Sequence, residues 1–457
     1  MLLQALVEPF LRQRPYCVMV RAAVERMLSP EQIDRVFRDH ALEQYERELL
    51  FSSLVELMAQ VVTRVEPSVL AAYRAMRDRL SVSDEAIYQK LRHVEGGVSE
   101  ALVRHSFEQA RGVIEQLGGL RKSWVAGCRV KVLDGNYLQA TERRIAELRT
   151  LSAAPLPGRA LVLWDQQSQL VERVFVTEHG QASERTLIPS LLPVVQPQDL
   201  CIADRNFCTL GLLFGLADRR ARFAIRQHGS LRGTPVGKAT AWETTATGER
   251  VRERPLTIQH GEQIRTVRRV TVRLQKPTRD GDCELHILTN LTQKQATARK
   301  VAELYHRRWT IELVFLEMQT ALSCEVQTLG YPRAALFAFC VAVVLQNTFT
   351  LLDRTLAVVH GEDVVEQALS GVLLAQELRK TYDGMMVQVP PEHWQELRSL
   401  SLPRFTTFLK RCAKHLNPDH YRKTPRGPKK PPPKKTRYKN GHHASTFKIL
   451  ALRKPPT

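Results

Sequence analysis

Over the first 120 residues apolar side chains recur every three or four positions between charges, with few Gly or Pro. This spacing predicts a helical region over residues 1–120. Within it, SVSDEAIYQKLRHV (residues 81–94) sets Ser83 as an N-cap ahead of Asp84 and Glu85 in the first turn. A short helix there, preceded by another, suits a helix-turn-helix as well as ordinary helix packing. Near Val125 the period changes. CRVKVLDGNYL, ALVLWDQ and LVERVFVTE predict three successive strands with turn residues between them. A helix around residues 183–194, with Ser183 as cap, a strand LCIAD, a helix TLGLLFGLADR and a strand RFAIRQ follow.

The resulting order, βββ-α-β-α-β, predicts an α/β fold with an RNase H-like core, a mixed sheet flanked by helices. In that layout Asp134 ends the first strand, Asp204 ends the fourth, and the two strands lie side by side. The core is expected over residues 121–228 and 291–330. Residues 229–290 are rich in Thr, Val, Arg and Gly and alternate in RTVRRVTVRLQ and CELHILTN, which predicts a β-rich insertion. Thr292 is the expected cap of the helix pair that follows. Residues 331–415 read as a helical C-terminal region, and residues 416–457 as a basic tail rich in Pro and Lys that cannot bury a core. No repeat of fixed period is visible.

Charge adds a partner to this picture. Lys and Arg number 67 against 47 Asp and Glu, a net +20. Residues 401–457 hold 16 Lys or Arg and one acid, Asp419, and so supply +15 of it. Such a balance favours a polyanion, nucleic acid first, because each neutralised phosphate releases a counterion. The eight cysteines form no CxxC or Cys/His ligand pattern, which excludes a recognisable zinc site or disulfide framework and suits a reducing interior. The N-terminal MLLQALVEPFLRQRP meets Glu8 too early for a secretory signal. The apolar run at residues 334–345 is too short for a bilayer of roughly 30 Å and reads as a buried core helix, so no membrane partner is expected.

The densest chemistry lies in YHRRWTIELVFLEMQTAL, residues 305–322. Tyr305, Arg308, Glu312 and Gln319 fall within roughly a 60° arc of one helical face. With Asp134 and Asp204, Glu312 completes a set of three carboxylates from separate parts of the chain. Two Mg²⁺ ions roughly 3.5–4 Å apart commonly run phosphodiester hydrolysis, and Mg²⁺ prefers such oxygen donors. Taken singly, each Asp at a strand end is as readily a turn or cap residue. Asp165 also ends a strand-like run, and Glu317 sits about 140° round the helix from Glu312. Trp309 reads as core and His306 as solvated. Arg205 and Arg308 could contact phosphate, and Trp242 is either a partly buried strand residue or an aromatic available for stacking. Lys423, Lys429, Lys430, Lys434 and Lys435 should bind phosphate without sequence preference.

LDGNYL, IADRNFC and LYHRRWTIELVF, in this order, resemble three signature blocks of DDE-class insertion-sequence transposases of the IS-four family. The resemblance runs from about Arg129 to Leu322 and includes TERRIAELR, PLPGRALVLWD and FAIRQH. It implies Asp134, Asp204 and Glu312 as catalytic, metal-binding residues, and Mg²⁺ as cofactor with Mn²⁺ able to substitute. It also implies cleavage at terminal inverted repeats followed by strand transfer into target DNA. A homodimer in a synaptic complex, a base-stacking role for Trp242 and a cytoplasmic, nucleoid-associated place are further implications; no small-molecule substrate is expected. The family's Y-R-E-K signature falls on Tyr305, Arg308 and Glu312, but Gln319 stands at its Lys position. Gln can hydrogen-bond a phosphate without bringing charge to it. A catalytically inactive or repurposed DNA-binding copy is therefore the alternative reading.

Overall fold

The computed structural model describes residues 2–44, 48–138, 155–278, 281–326, 329–370, 373, 385, 389, 391–423 and 444–451. Seven α-helices among them precede the first long strand: α1 (Leu2–Gln13), α2 (Pro15–Met27), α3 (Pro30–His40), α4 (Phe51–Val62), α5 (Val69–Ala75), α6 (Asp84–His93) and α7 (Gly96–Leu117). Ser83 caps α6 as its position predicts, its hydroxyl accepting the Ala86 N–H at 3.3 Å. The TERRIAELR stretch lies outside the described residues.

The sheet begins with β1 (Arg129–Tyr137), followed by β2 (Pro155–Leu156), β3 (Arg159–Asp165) and β4 (Val171–Thr177). Residues 184–194 form short helical turns around α8 (Ile188–Leu191), broken because Pro189 and Pro193 have no N–H to continue a ladder. Then come β5 (Asp199–Ala203), α9 (Leu210–Asp218), capped by the Thr209 hydroxyl, and β6 (Arg222–Arg226). β1 pairs antiparallel with β3 and parallel with β5, and β5 pairs parallel with β6. This is the RNase H-like arrangement that the strand order predicts.

The parallel register runs from Arg129 opposite Asp199 to Leu133 opposite Ala203, so Asp134 and Asp204 each follow the last paired residue. One expectation changes. β1 continues to Tyr137 against β3, and Asp134, opposite Val162, is inside the strand and not at its end. It reaches the sheet edge because β5 stops at Ala203 and leaves that flank of β1 uncovered.

The β-rich block contains β7 (Thr234–Pro235), β8 (Glu243–Thr244), β9 (Arg250–His260), β10 (Gln263–Arg273) and β11 (Glu284–Thr289). β11 pairs antiparallel with β6, so the block extends the core sheet in the order β4-β3-β1-β5-β6-β11-β10-β9-β7, with β8 on the flank of β9. β9 and β10 are joined by a two-residue turn, and Gly261 takes the positive φ of 58° that such a turn requires.

α10 (Ala298–His306), α11 (Thr310–Ala321) and α12 (Pro332–His360) return across the sheet. Thr297 caps α10 by accepting the Lys300 N–H at 3.3 Å, whereas Thr292, the expected cap, closes a turn with Gln295. α12 is longer than its apolar run suggested. It is long and apolar enough to cross a membrane, yet 94% of its most apolar window is buried inside the protein. Asn347 ties it to β4, exchanging hydrogen bonds of 2.9 Å with both backbone groups of Val171.

Glu100 on α7 accepts the Val176 N–H of the edge strand β4 at 2.8 Å. Burial pushes its carboxyl up to about 7, against the opposing effect of that hydrogen bond. The folded state therefore keeps a proton that the unfolded chain has lost. Stability should fall as pH rises from about 4.5 to 7 and level off above, by an amount on the order of 1–3 kcal/mol. Urea midpoints across that range should show the slope, and Glu100→Gln should reduce it.

Candidate active site

Asp134 is the buried member of the site, its side chain 17% exposed. Its Oδ1 accepts the Gly135 N–H at 3.0 Å and its Oδ2 lies 3.4 Å from Arg308 Nη1. The same guanidinium donates through Nη2 to Glu312 Oε1 at 2.9 Å. Asp204 follows β5 directly and caps the turn after it, its Oδ1 accepting the Asn206 N–H at 2.8 Å. A strand, a strand end and a helix thus bring one carboxylate each to one sheet edge.

The charges feel one another. Burial raises the Asp134 carboxyl to about 7, Arg308 opposes this, and the charges of Asp204 and Glu312 push it further up. Arg308 is 8% exposed, and the effect of its burial is outweighed by Asp134, Tyr305 and Glu312, which hold its proton more firmly. Beneath it Tyr305 is 5% exposed, with its ring centre 6.0 Å from the guanidinium carbon. Among the described residues no three carboxylate, imidazole or thiolate side chains stand close enough together to hold a metal ion as they are placed. Arg308 instead bridges two of the three acids. The donor set nonetheless fits Mg²⁺: hard carboxylate oxygens, one of them buried among like charges that a divalent cation would relieve.

The helix stripe survives with a break. A 3₁₀ turn, Arg307–Trp309, separates α10 from α11, so Tyr305 and Glu312 sit on different helices. One expectation is overturned: Trp309 is 61% exposed and not core, because at helical spacing it lies opposite Ile311 and Met318, which carry the buried face. With Leu313 and Leu316 it forms an exposed apolar stripe on α11. His306 is exposed, as expected, and bonds Glu249 at 2.7 Å. Gln319 is exposed two turns beyond Glu312, and its backbone carbonyl accepts from Arg64 at 3.2 Å.

The remaining candidates separate. Arg205 lies 3.7 Å from Asp282, which also pairs with Arg226. Trp242 lies against Arg250, Arg252 and Arg273 in the β-rich block, away from the carboxylates. Lys423 contacts the Glu366 carbonyl, while Lys429, Lys430, Lys434 and Lys435 lie outside the described residues. Asp165 is fully buried and bonds Lys131 at 2.7 Å, Arg111 at 3.1 Å and the Ser168 N–H at 2.9 Å. It anchors the sheet and does not face the site.

Sequence reasoning passed over Glu184. Its carboxyl lies so close to Gly135 that a Cβ there would be 2.2 Å from it, which explains a glycine directly after Asp134. Burial raises the Glu184 carboxyl; Arg159, 3.8 Å away, opposes the shift and Asp204 adds to it. The available signal was its place in the turn capped by Ser183.

Residues 157–345 match the family described as the transposase DDE domain. Asp204 and Glu312 fall inside the matched stretch, and Asp134 lies before it. The match, which covers less than half of the chain, supports a DDE transposase. Among curated proteins none matches the chain.

Proposed function

We propose that the protein is a DNA transposase of the IS-four type, cutting at terminal inverted repeats and joining the freed ends to target DNA. The observation that carries the reading is the meeting of Asp134 and Asp204 on adjacent parallel strands with an Arg308–Glu312 pair. Asp134, Asp204 and Glu312 would hold Mg²⁺, with Mn²⁺ able to substitute. The metal would supply an activated nucleophile and charge on the leaving oxygen.

The chain's own residues prepare that site. Arg308 neutralises Asp134 and Glu312 and holds both at the sheet edge; Tyr305 packs beneath it. Gln319, further along α11, offers DNA a hydrogen bond in place of a charge. Arg205 and the tail lysines 429, 430, 434 and 435 add sequence-independent phosphate contacts. A homodimer bridging two ends in a synaptic complex follows from the need to cut both ends of one element, and a cytoplasmic, nucleoid-associated place goes with that work. The test is cleavage of DNA carrying the repeats that flank the gene. With Mg²⁺ the purified chain should nick at the repeat boundary, and Asp204→Asn or Glu312→Gln should each lower the rate at least about 10³-fold. Undiminished cleavage by either variant would remove that residue from the site. Specific binding without any cleavage would favour a repurposed DNA-binding copy, the reading to which Gln319 points.

A further inference from the structure

The β9–β10 hairpin carries a set of cations that the site above does not use. Arg250, Arg252 and Arg254 alternate along β9, and Arg269, Thr271 and Arg273 along β10. The register sets Arg254 opposite Arg269, Arg252 opposite Thr271 and Arg250 opposite Arg273. Cross-strand partners share a face, so all five arginines project from one side of the hairpin. His286 on β11 joins them, opposite Thr271 and bonded to its hydroxyl at 3.1 Å.

That side is not the side of Asp134. Further along the same face lie Leu256 and Val267, which share a core cluster with Leu133, Leu288 and Ile225. Asp134 follows Leu133 and so projects from the opposite face, with Val132 and Val162. No register shift interrupts the strand pairs linking β1 to β9 through β5, β6, β11 and β10.

The cluster has little to balance it. Among the described residues Arg273 pairs with Glu284 at 2.8 Å, and the Arg254 Nε–H donates to the Gly237 carbonyl at 2.9 Å. Glu253, between Arg252 and Arg254, points the other way and pairs with Arg268. Among the described residues Arg252 and Arg269 have no carboxylate partner, and the buried Nε of Arg269 has no acceptor. Burial and then the charges of Arg254 and Arg252 lower the proton affinity of Arg269, the mark of like charges held close. Trp242 braces the guanidiniums of Arg250, Arg252 and Arg273, which lie 5.3, 4.4 and 4.9 Å from its ring centre. Braced arginines lose less freedom on meeting a phosphate, and their planar forks suit its oxygens. From Arg250 to Arg254 the strand rises about 13 Å, which matches about four phosphates along one DNA strand.

We propose that this face of the β9–β10 hairpin, centred on Arg252, Arg254 and Arg269, holds the phosphodiester backbone of a DNA segment other than the one at the carboxylates. The identity of the polyanion rests on the transposase reading; the site itself rests on the cluster. Its place on the reverse face means that a duplex lying against Asp134 and Asp204 must bend round the sheet to reach it, or a second duplex must.

The experiment is fluorescence anisotropy of the full chain with a labelled 20-base-pair duplex lacking the repeats, in KCl from about 50 to 300 mM, without divalent metal. Arg252→Gln/Arg269→Gln should weaken binding about 10- to 100-fold at 0.1 M KCl and reduce the log–log salt slope by about 2. Arg252→Lys/Arg269→Lys should restore most of the slope. Because the glutamines relieve like-charge crowding, the melting temperature should stay level or rise, which separates lost binding from lost folding. An unchanged slope in a folded glutamine variant overturns the proposal. Loss of binding to a poly-glutamate peptide with the DNA slope intact also overturns it, in favour of an acidic protein partner. A reduced slope in a chain that cuts no DNA leaves the proposal standing while the catalytic reading falls.

Discussion

Asp134→Asn should abolish cleavage, with a loss of at least about 10³-fold, and should stabilise the protein at the same time. Asp134 is held at 17% side-chain exposure among like charges. Arg308 meets it at 3.4 Å, yet burial together with Asp204 and Glu312 still leaves its carboxyl raised to about 7. Above that pH the folded protein carries a charge that the unfolded chain accommodates more readily. An Asn of the same shape removes the charge while keeping an acceptor for the Gly135 N–H. The stabilisation should be near zero below about pH 4, grow between about 4 and 7 and level off above, reaching on the order of 1–3 kcal/mol. Urea midpoints at pH 5 and pH 8 measure it. A variant less stable than the parent at pH 8 would show that Arg308 outweighs the crowding, contrary to this account.

Lys131→Met should have the largest effect on stability. Lys131, on β1, has its ammonium 2.7 Å from the fully buried Asp165 on β3 and in contact with Glu172. Burial, which alone would raise the Asp165 carboxyl, is outweighed by Lys131, and the acid is held below its ordinary range. Removing the lysine strands a buried carboxylate, leaving it Arg111 and Ser168, and should cost about 3–5 kcal/mol. Lys131→Met/Asp165→Asn should recover a large part of that loss, because the stranded charge goes with its partner. If the double variant is as unstable as the single one, the loss comes from packing and not from charge. Asp165→Asn alone should cleave DNA normally, in contrast with Asp134→Asn.

The two aspartates illustrate what could be read from residues alone. In sequence each follows an apolar run in the same way, Asp134 after KVL and Asp165 after LVLW. Strand order singled out Asp134 because a βββ-α-β-α-β chain sets its first and fourth strands side by side, and those two strands do pair. It could not show that Asp165 meets a lysine 34 residues away in sequence. Trp309 was misplaced because α11 carries apolar residues on two sides: at 100° per residue it goes with Leu313 and Leu316, which are exposed, while Ile311 and Met318 face the core. Trp242 is half-buried, as one of its two readings had it, but its neighbours could not be read from the sequence. Its stacking partners are arginines on β9 and β10, and their joint face follows from cross-strand register.

Periodicity and turn residues by themselves determined the helical N-terminal region, the strand order of the core, the presence of a β-rich block before α10, and which carboxylates could meet. These depend on interactions between near neighbours in the chain, which leave their trace in spacing. Tertiary structure alone decided that the β-rich block extends the core sheet, that Arg308 bridges Asp134 and Glu312, that Glu184 lies against Gly135, and that the arginines of β9 and β10 gather on the far face. Each of these depends on contacts between residues distant in sequence, and on which side of a strand faces which layer, where a shift of one residue reverses the answer.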